Sequence, residues 1–160
     1  MNLSKITFFL VLTLFSSTLL TAQKKPAKKS EITTVTKFKA PKLFCSLDTY
    51  LDSATISAED AVRVVGMPLK IYDDKKKMYS ISSYQFLYRK KGVTEDEEGK
   101  VTPTTSISSD RFKVTPLPDI WVNLIRGQVK QGEEFFFFDV IAKDAQGRVM
   151  YAPNLKLVIR

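Results

Sequence analysis

Four phenylalanines in succession, Phe135 to Phe138, stand near the end of a 160-residue chain that contains no histidine. Side chains of a strand alternate between its two faces, so such a run puts apolar rings on both sides. Burying one ring contributes on the order of 2 kcal/mol, and four left in water would invite aggregation. Core is therefore the expected place for them. Read from Phe135 to Ile141, the strand sends Phe136, Phe138 and Val140 one way. Phe135, Phe137 and Ile141 go the other way, alongside Asp139. Such a strand belongs at the centre of a sheet, with a second sheet over one face and a helix or loop over the other.

The neighbouring segments have the same character. Tyr79 to Lys90 alternates with period two, setting Tyr84, Phe86 and Tyr88 against Gln85, Leu87 and Arg89. Leu43 to Leu51 is rich in strand formers. Ser57-Ala58-Glu59-Asp60 reads as a helix N-cap followed by a single turn. Ala61 to Val65 and Leu69 to Tyr72 read as short strands around Gly66-Met67-Pro68, because proline lacks the donor a central strand needs. Asp73 to Lys77 is a polar loop. Gly92 to Lys100, with consecutive acidic residues from Glu95 to Glu98, reads as a hairpin tip leading into Val101 to Ile107. Its carboxylates miss the alternate spacing of a calcium loop, so no metal is expected there. Pro116, Pro118 and Asp119 open a helix of about ten residues in which Ile120 and Leu124, and Trp121 and Ile125, recur at i,i+4, with Gly127 as the stop. Lys143 to Gly147 turns the chain, and Leu155 to Ile159 returns as the closing strand.

The N-terminus has a different character. Lys5 precedes an uncharged, mostly apolar stretch from Ile6 to Gln23 that ends on small residues, the layout of a secretory signal peptide over 1–22 with cleavage near Ala22. Retention of 6–22 as an inner-membrane anchor is the alternative, although the stretch is slightly short for the roughly 20 residues a spanning helix needs. The single cysteine, Cys45, lies far from that cut and has no partner within the chain. It is expected as a buried apolar side chain, with a reactive thiol or an intermolecular bridge as the other readings.

A net charge of +8 would suit nucleic acid, but it is not spread over the chain. From Gln23 to Lys42, Lys24, Lys25, Lys28, Lys29, Lys37, Lys39 and Lys42 face Glu31 alone. A flexible basic linker over 23–41 is expected, with the folded domain spanning 42–160. These lysines can act as a solvated spacer, or as an electrostatic tether making weak contact with anionic lipid or cell-wall polymer. No nucleic-acid partner is expected.

The stretch from DRFKVTPLPDIWVNLIRG through GEEFFFFDVIAKDAQGRVMYAPNLKLVIR resembles the C-terminal domain of the GldM/PorM gliding-motility and type IX secretion proteins. The matching positions are Arg111, Phe112, Leu124, Gly127, Phe138, Asp139, Ile141, Ala142, Lys143, Gly147, Arg148, Pro153 and Ile159. The resemblance implies an immunoglobulin-like β-sandwich with one short amphipathic helix, exported to the periplasm of a Bacteroidota cell and without catalysis. In that family the domain ends a long periplasmic rod. A stand-alone adaptor whose partners are other envelope proteins, such as secretion or gliding ring components, is the corresponding expectation here.

Chemistry points the same way. Without histidine there is no Ser-His or Cys-His nucleophile and no imidazole metal ligand. Nor is there a glycine-rich phosphate loop. Glu133, Glu134 and Asp139 remain as carboxylates, and Asp139 next to apolar rings could have a raised pKa. The plainer expectation places Asp139 at a bulge bonding backbone donors, or at the rim of the sheet. A non-catalytic binding module without cofactor or metal is expected; an envelope-surface protein held by its lysines is the alternative.

Overall fold

The computed structural model describes residues 38–160. The expected signal segment and Lys24, Lys25, Lys28, Lys29 and Lys37 lie outside the described residues. The described chain is mainly β. Its elements run β1 (Leu43–Leu47), β2 (Tyr50–Leu51), β3 (Ser53–Ile56), α1 (Ala58–Val64), β4 (Leu69–Asp73), β5 (Met78–Glu95), β6 (Val101–Phe112), α2 (Asp119–Arg126), β7 (Glu134–Lys143), β8 (Val149–Tyr151) and β9 (Leu155–Ile159).

One mixed sheet joins the strands in the order β2-β1-β4-β5-β7-β9-β3, with β6 added to β5 and β8 to β7. Every pair is antiparallel except β3 with β9. The two ends of this order, β2 and β3, are separated in the chain only by Asp52, so the sheet curls until it nearly closes. Its inner surface is a single core. Cys45, Leu47 and Ile71 from one part of the sheet share that core with Tyr84, Phe86, Phe135, Phe137, Leu155 and Leu157 from the other. Phe86 is its aromatic hub, with ring centroids 4.8 Å from Phe137, 5.9 Å from Phe135 and 5.6 Å from Trp121.

Among the described residues there are two helices where one was expected. Ala61 to Val64, read above as strand, lies in α1, where Ala61 and Val64 are buried. The cap signal outweighs the β-branched side chains: the Ser57 hydroxyl accepts the Asp60 N–H at 3.0 Å, and Glu59 and Asp60 occupy the first turn, where the dipole favours negative charge. In α2 the residues facing the core are Val122 and Ile125, whereas Ile120 and Leu124 are exposed. The i,i+4 pairing of Ile120 with Leu124 therefore marked the outer face. Gly127 does end α2, but with φ −75° and not in the left-handed region.

Strand β7 also departs from simple alternation. Phe138 pairs with Gln85 and Ile141 with Ser83, which leaves Asp139 and Val140 opposite Tyr84 alone. This is a β-bulge, and Asp139 occupies it at φ +48°, a conformation Asp tolerates better than most residues. The extra residue resets the phase. Val140 and Ala142 join Phe135 and Phe137 in the core, and Ile141 joins Phe136 and Phe138 on the half-buried outer face. The faces expected for Val140 and Ile141 are thus exchanged.

Three hairpins close by the same device. In Asp73–Lys77, Asp96–Lys100 and Asp144–Arg148, the aspartate side chain accepts N–H groups two and four residues on. The aspartate N–H bonds the carbonyl of the closing basic residue. The fourth position, Lys76, Gly99 or Gly147, has positive φ.

Candidate interaction surface

Strands β5 and β6 form the longest ladder of the molecule, with an unbroken register from Tyr84–Phe112 to Glu95–Val101. Strand β7 accompanies β5 only as far as the Arg89–Glu134 pair. Beyond it the hairpin continues as a two-stranded arm whose side chains are exposed on both faces, Val93 and Val101 among them. A two-stranded ribbon in water is marginal by itself, so the arm gains little from burial.

Among the described residues strand β6 is an edge along its whole length, because β5 is its one partner. The direction of its N–H groups follows from the turn. Asp96 N–H bonds Lys100 carbonyl, and hydrogen-bonded pairs alternate with non-bonded ones from there. Thr102, Thr104 and Ser106, opposite Thr94, Gly92 and Lys90, face β5. Val101, Thr105, Ile107 and Ser109 turn their N–H groups outward. Pro103 shares that parity, where its missing donor costs no bond to β5. Arg111 N–H, also outward, is taken by the Asp110 carboxylate at 2.7 Å. From Val101 to Ser109 the edge carries no charged side chain; of the usual means of blocking an edge it has only Pro103, near the tip, and Thr105 to Ser109 has none.

The outer face beside this edge combines aromatic and ionic groups. Phe136 and Phe138 stack with centroids 5.1 Å apart. Leu87, Arg89, Glu134, Phe136 and Lys156 line a shallow hollow of about 130 Å³. Glu134 is held there by Arg89 at 2.8 Å and Lys156 at 3.3 Å.

The residues singled out from the sequence fall in several places. Asp139 is exposed, 2.5 Å from Gln85 Nε2 and 3.9 Å from the Arg111 guanidinium. The bulge expected for Asp139 is present, but its carboxylate accepts from the Gln85 amide and sits near the Arg111 charge in place of the expected backbone donors. Phe138 lies on the same outer face, so Arg111, Phe138 and Asp139 form one neighbourhood. Phe112 is buried between Tyr84 and Trp121. Leu124 and Gly127 belong to α2 and its end, away from that neighbourhood in the chain's order. Gly147 and Arg148 complete the Asp144 turn. The Arg148 guanidinium pairs with Asp144 at 2.6 Å and lies 3.7 Å from the centre of the Phe38 ring. Pro153 is exposed between β8 and β9. Lys39 and Lys42 are exposed, and the Lys42 ammonium sits over the Phe44 ring.

Two buried groups were not anticipated as partners. Glu133 is buried, and its carboxylate accepts the Tyr88 hydroxyl and the Lys130 N–H. Burial, then the bond and charge of Glu133, push the Tyr88 phenol well above its ordinary value. Cys45 is fully buried, and burial followed by the charge of Asp52 pushes its thiol up to about 12. Such a thiol has almost no nucleophilic thiolate near neutrality. Among the described residues no group of three or more His, Cys, Asp or Glu is placed to hold a metal ion, and no helix is long and apolar enough to cross a membrane. The chain matches no protein-family model and no curated protein.

Proposed function

We propose that this chain is an exported, non-catalytic protein-binding module that receives an extended strand of a partner along β6. The observation that carries this reading is the outward N–H groups of Val101, Thr105, Ile107 and Ser109, interrupted only at Pro103, on an arm with exposed apolar side chains. Strand addition to such an edge supplies main-chain hydrogen bonds, and the alternating side chains supply selectivity. The stacked Phe136 and Phe138 and the Arg89–Glu134–Lys156 group lie on the same sheet inward of this edge, across β5, where they offer apolar contact and charge to parts of a partner that reach over β5.

The similarity of the closing residues to GldM/PorM C-terminal domains favours an envelope partner, with a role as accessory or adaptor of gliding or type IX secretion machinery in the periplasm. An immunoglobulin-like sandwich is the finer reading of the fold. It is favoured by the shared core of the two parts of the sheet, while the parallel β3–β9 pair is a departure to be accommodated.

The test is capture from an envelope extract by the tagged chain, compared with Thr105→Pro. That substitution removes one outward N–H and no bond to β5. Capture that persists in high salt and is lost in Thr105→Pro, with thermal unfolding unchanged, supports the reading. Capture abolished by salt and indifferent to the proline assigns binding to the lysine-rich segment instead.

A further inference from the structure

We infer that a cleft at the base of the arm binds a phosphate monoester. The cleft has a volume of about 250 Å³, and Lys90, Lys91, Ser106, Gln128, Lys130 and Glu133 line it. It lies where the connection from α2 to β7 passes the start of the arm; it shares Ser106 with β6, whose N–H faces β5, but uses none of the outward N–H groups of the edge.

The amide of Gln128 is the first reason. Lys90 Nζ lies 2.6 Å from Gln128 Oε1. An ammonium can only donate, so the oxygen must be the atom facing it and the amide nitrogen must point elsewhere. That nitrogen is buried and has no hydrogen-bond partner. A buried donor without an acceptor is costly, and a turn of the Gln128 amide toward the cleft it lines would let an oxyanion supply one.

Charge is the second reason. Lys90, Lys91 and Lys130 take part in none of the ion pairs among the described residues. Glu133 is the one carboxylate of the cleft, so three ammonium groups and one carboxylate leave a net charge of +2. Its Oε2 is already occupied by the Tyr88 hydroxyl and the Lys130 N–H. A phosphate monoester carries close to two negative charges at neutral pH and brings three acceptor oxygens.

The third reason is placement. Gly132 has φ +85°, and a Cβ there would stand 3.0 Å from Lys91 Nζ and 3.1 Å from its Cδ. The Lys91 stem therefore lies directly across the Gly132 backbone. Glycine at this turn lets the ammonium stay at the cleft.

The probe is glycerol 3-phosphate, titrated into the purified chain at fixed ionic strength while the Gln128 side-chain amide is followed by NMR. That signal is assigned by its loss in Gln128→Glu. A saturable shift is expected, weakened about tenfold by Lys91→Ala and by Lys130→Ala and unaffected by Lys143→Ala, a lysine on β7 outside the cleft. Vesicles containing phosphatidic acid identify the source: retention on them, but not on phosphatidylcholine, indicates a lipid headgroup, and response to glycerol 3-phosphate alone indicates a soluble ester. A shift that never saturates, or equal weakening by Lys143→Ala, would overturn the proposal by reducing it to diffuse charge.

Discussion

Phe136 and Phe138 stack on the outer face of β7 with their rings 10° from parallel, while Phe135 and Phe137 between and beside them are fully buried around Phe86. One run thus has two roles. Phe137→Ala is expected to cost about 3–5 kcal/mol, as for other large core truncations. Phe138→Ala, losing only partial burial, should cost about 1 kcal/mol. Denaturant midpoints of the two variants check this, and equal losses would contradict the division of the run.

Tyr88→Phe leaves the buried Glu133 carboxylate with the Lys130 N–H as its remaining bond. A loss of about 1–3 kcal/mol is expected from the unmet acceptor. Urea unfolding should show it as a lower midpoint with an unchanged slope.

Stability should fall at both ends of the pH scale. Asp60 is held below its ordinary value by Arg63 and then by the Ser57 hydroxyl. For Asp73 and Asp144 burial acts upward, but the backbone N–H groups of Lys77 and Arg148 and the other donors to each carboxylate outweigh it. Lowered folded-state values mean stability present above about pH 4 and lost as pH falls below it. Cys45 and Tyr84 are both pushed up to about 12, chiefly by burial. Raised values mean stability complete below about pH 8.5 and lost as pH climbs from there. Urea midpoints from pH 2 to 11 should form a plateau with two limbs. Cys45→Ala should delay the onset of the alkaline one.

Two glycines should respond with opposite sign. Gly147 has φ +79° with nothing near the position of a Cβ, so Gly147→Ala meets only backbone strain and should lose about 1 kcal/mol. Gly92 lies in β5 without positive φ, and a Cβ would meet the Thr104 methyl at 3.4 Å. Gly92→Ala should therefore gain about 0.5 kcal/mol from a less flexible unfolded chain. Thermal melts of both variants measure the difference.

Period two in Tyr84, Phe86 and Tyr88 made β5 legible, and the proline and glycine boundaries made α2 legible. Alternation fails at a bulge, since one extra residue flips every later side chain; a bulge was among the expectations for Asp139, but its effect on phase was not carried forward, and Val140 and Ile141 were assigned to the wrong faces. In α1 the valines suggested a strand, although the Ser57–Asp60 cap was visible and decided the outcome. The repeated Asp-x-x-Gly-Lys/Arg of the 96–100 and 144–148 turns was a readable signal, hidden in its third copy because Lys76 replaces glycine. The open edge of β6 depends on which strands pair, and the cleft joins Lys90 and Lys91 to Lys130 across the fold. Neither juxtaposition is written in local sequence.

The most direct test of strand addition is site-specific photo-crosslinking in cells. A photoreactive residue is placed in turn at Thr105 and Ile107 on β6, and at Tyr151 on β8, which is at least as exposed as Ile107. Discrete adducts with another protein from both β6 positions and none from Tyr151 are predicted. Absence of adducts along β6, or the same adducts from Tyr151, would contradict a partner strand on this edge.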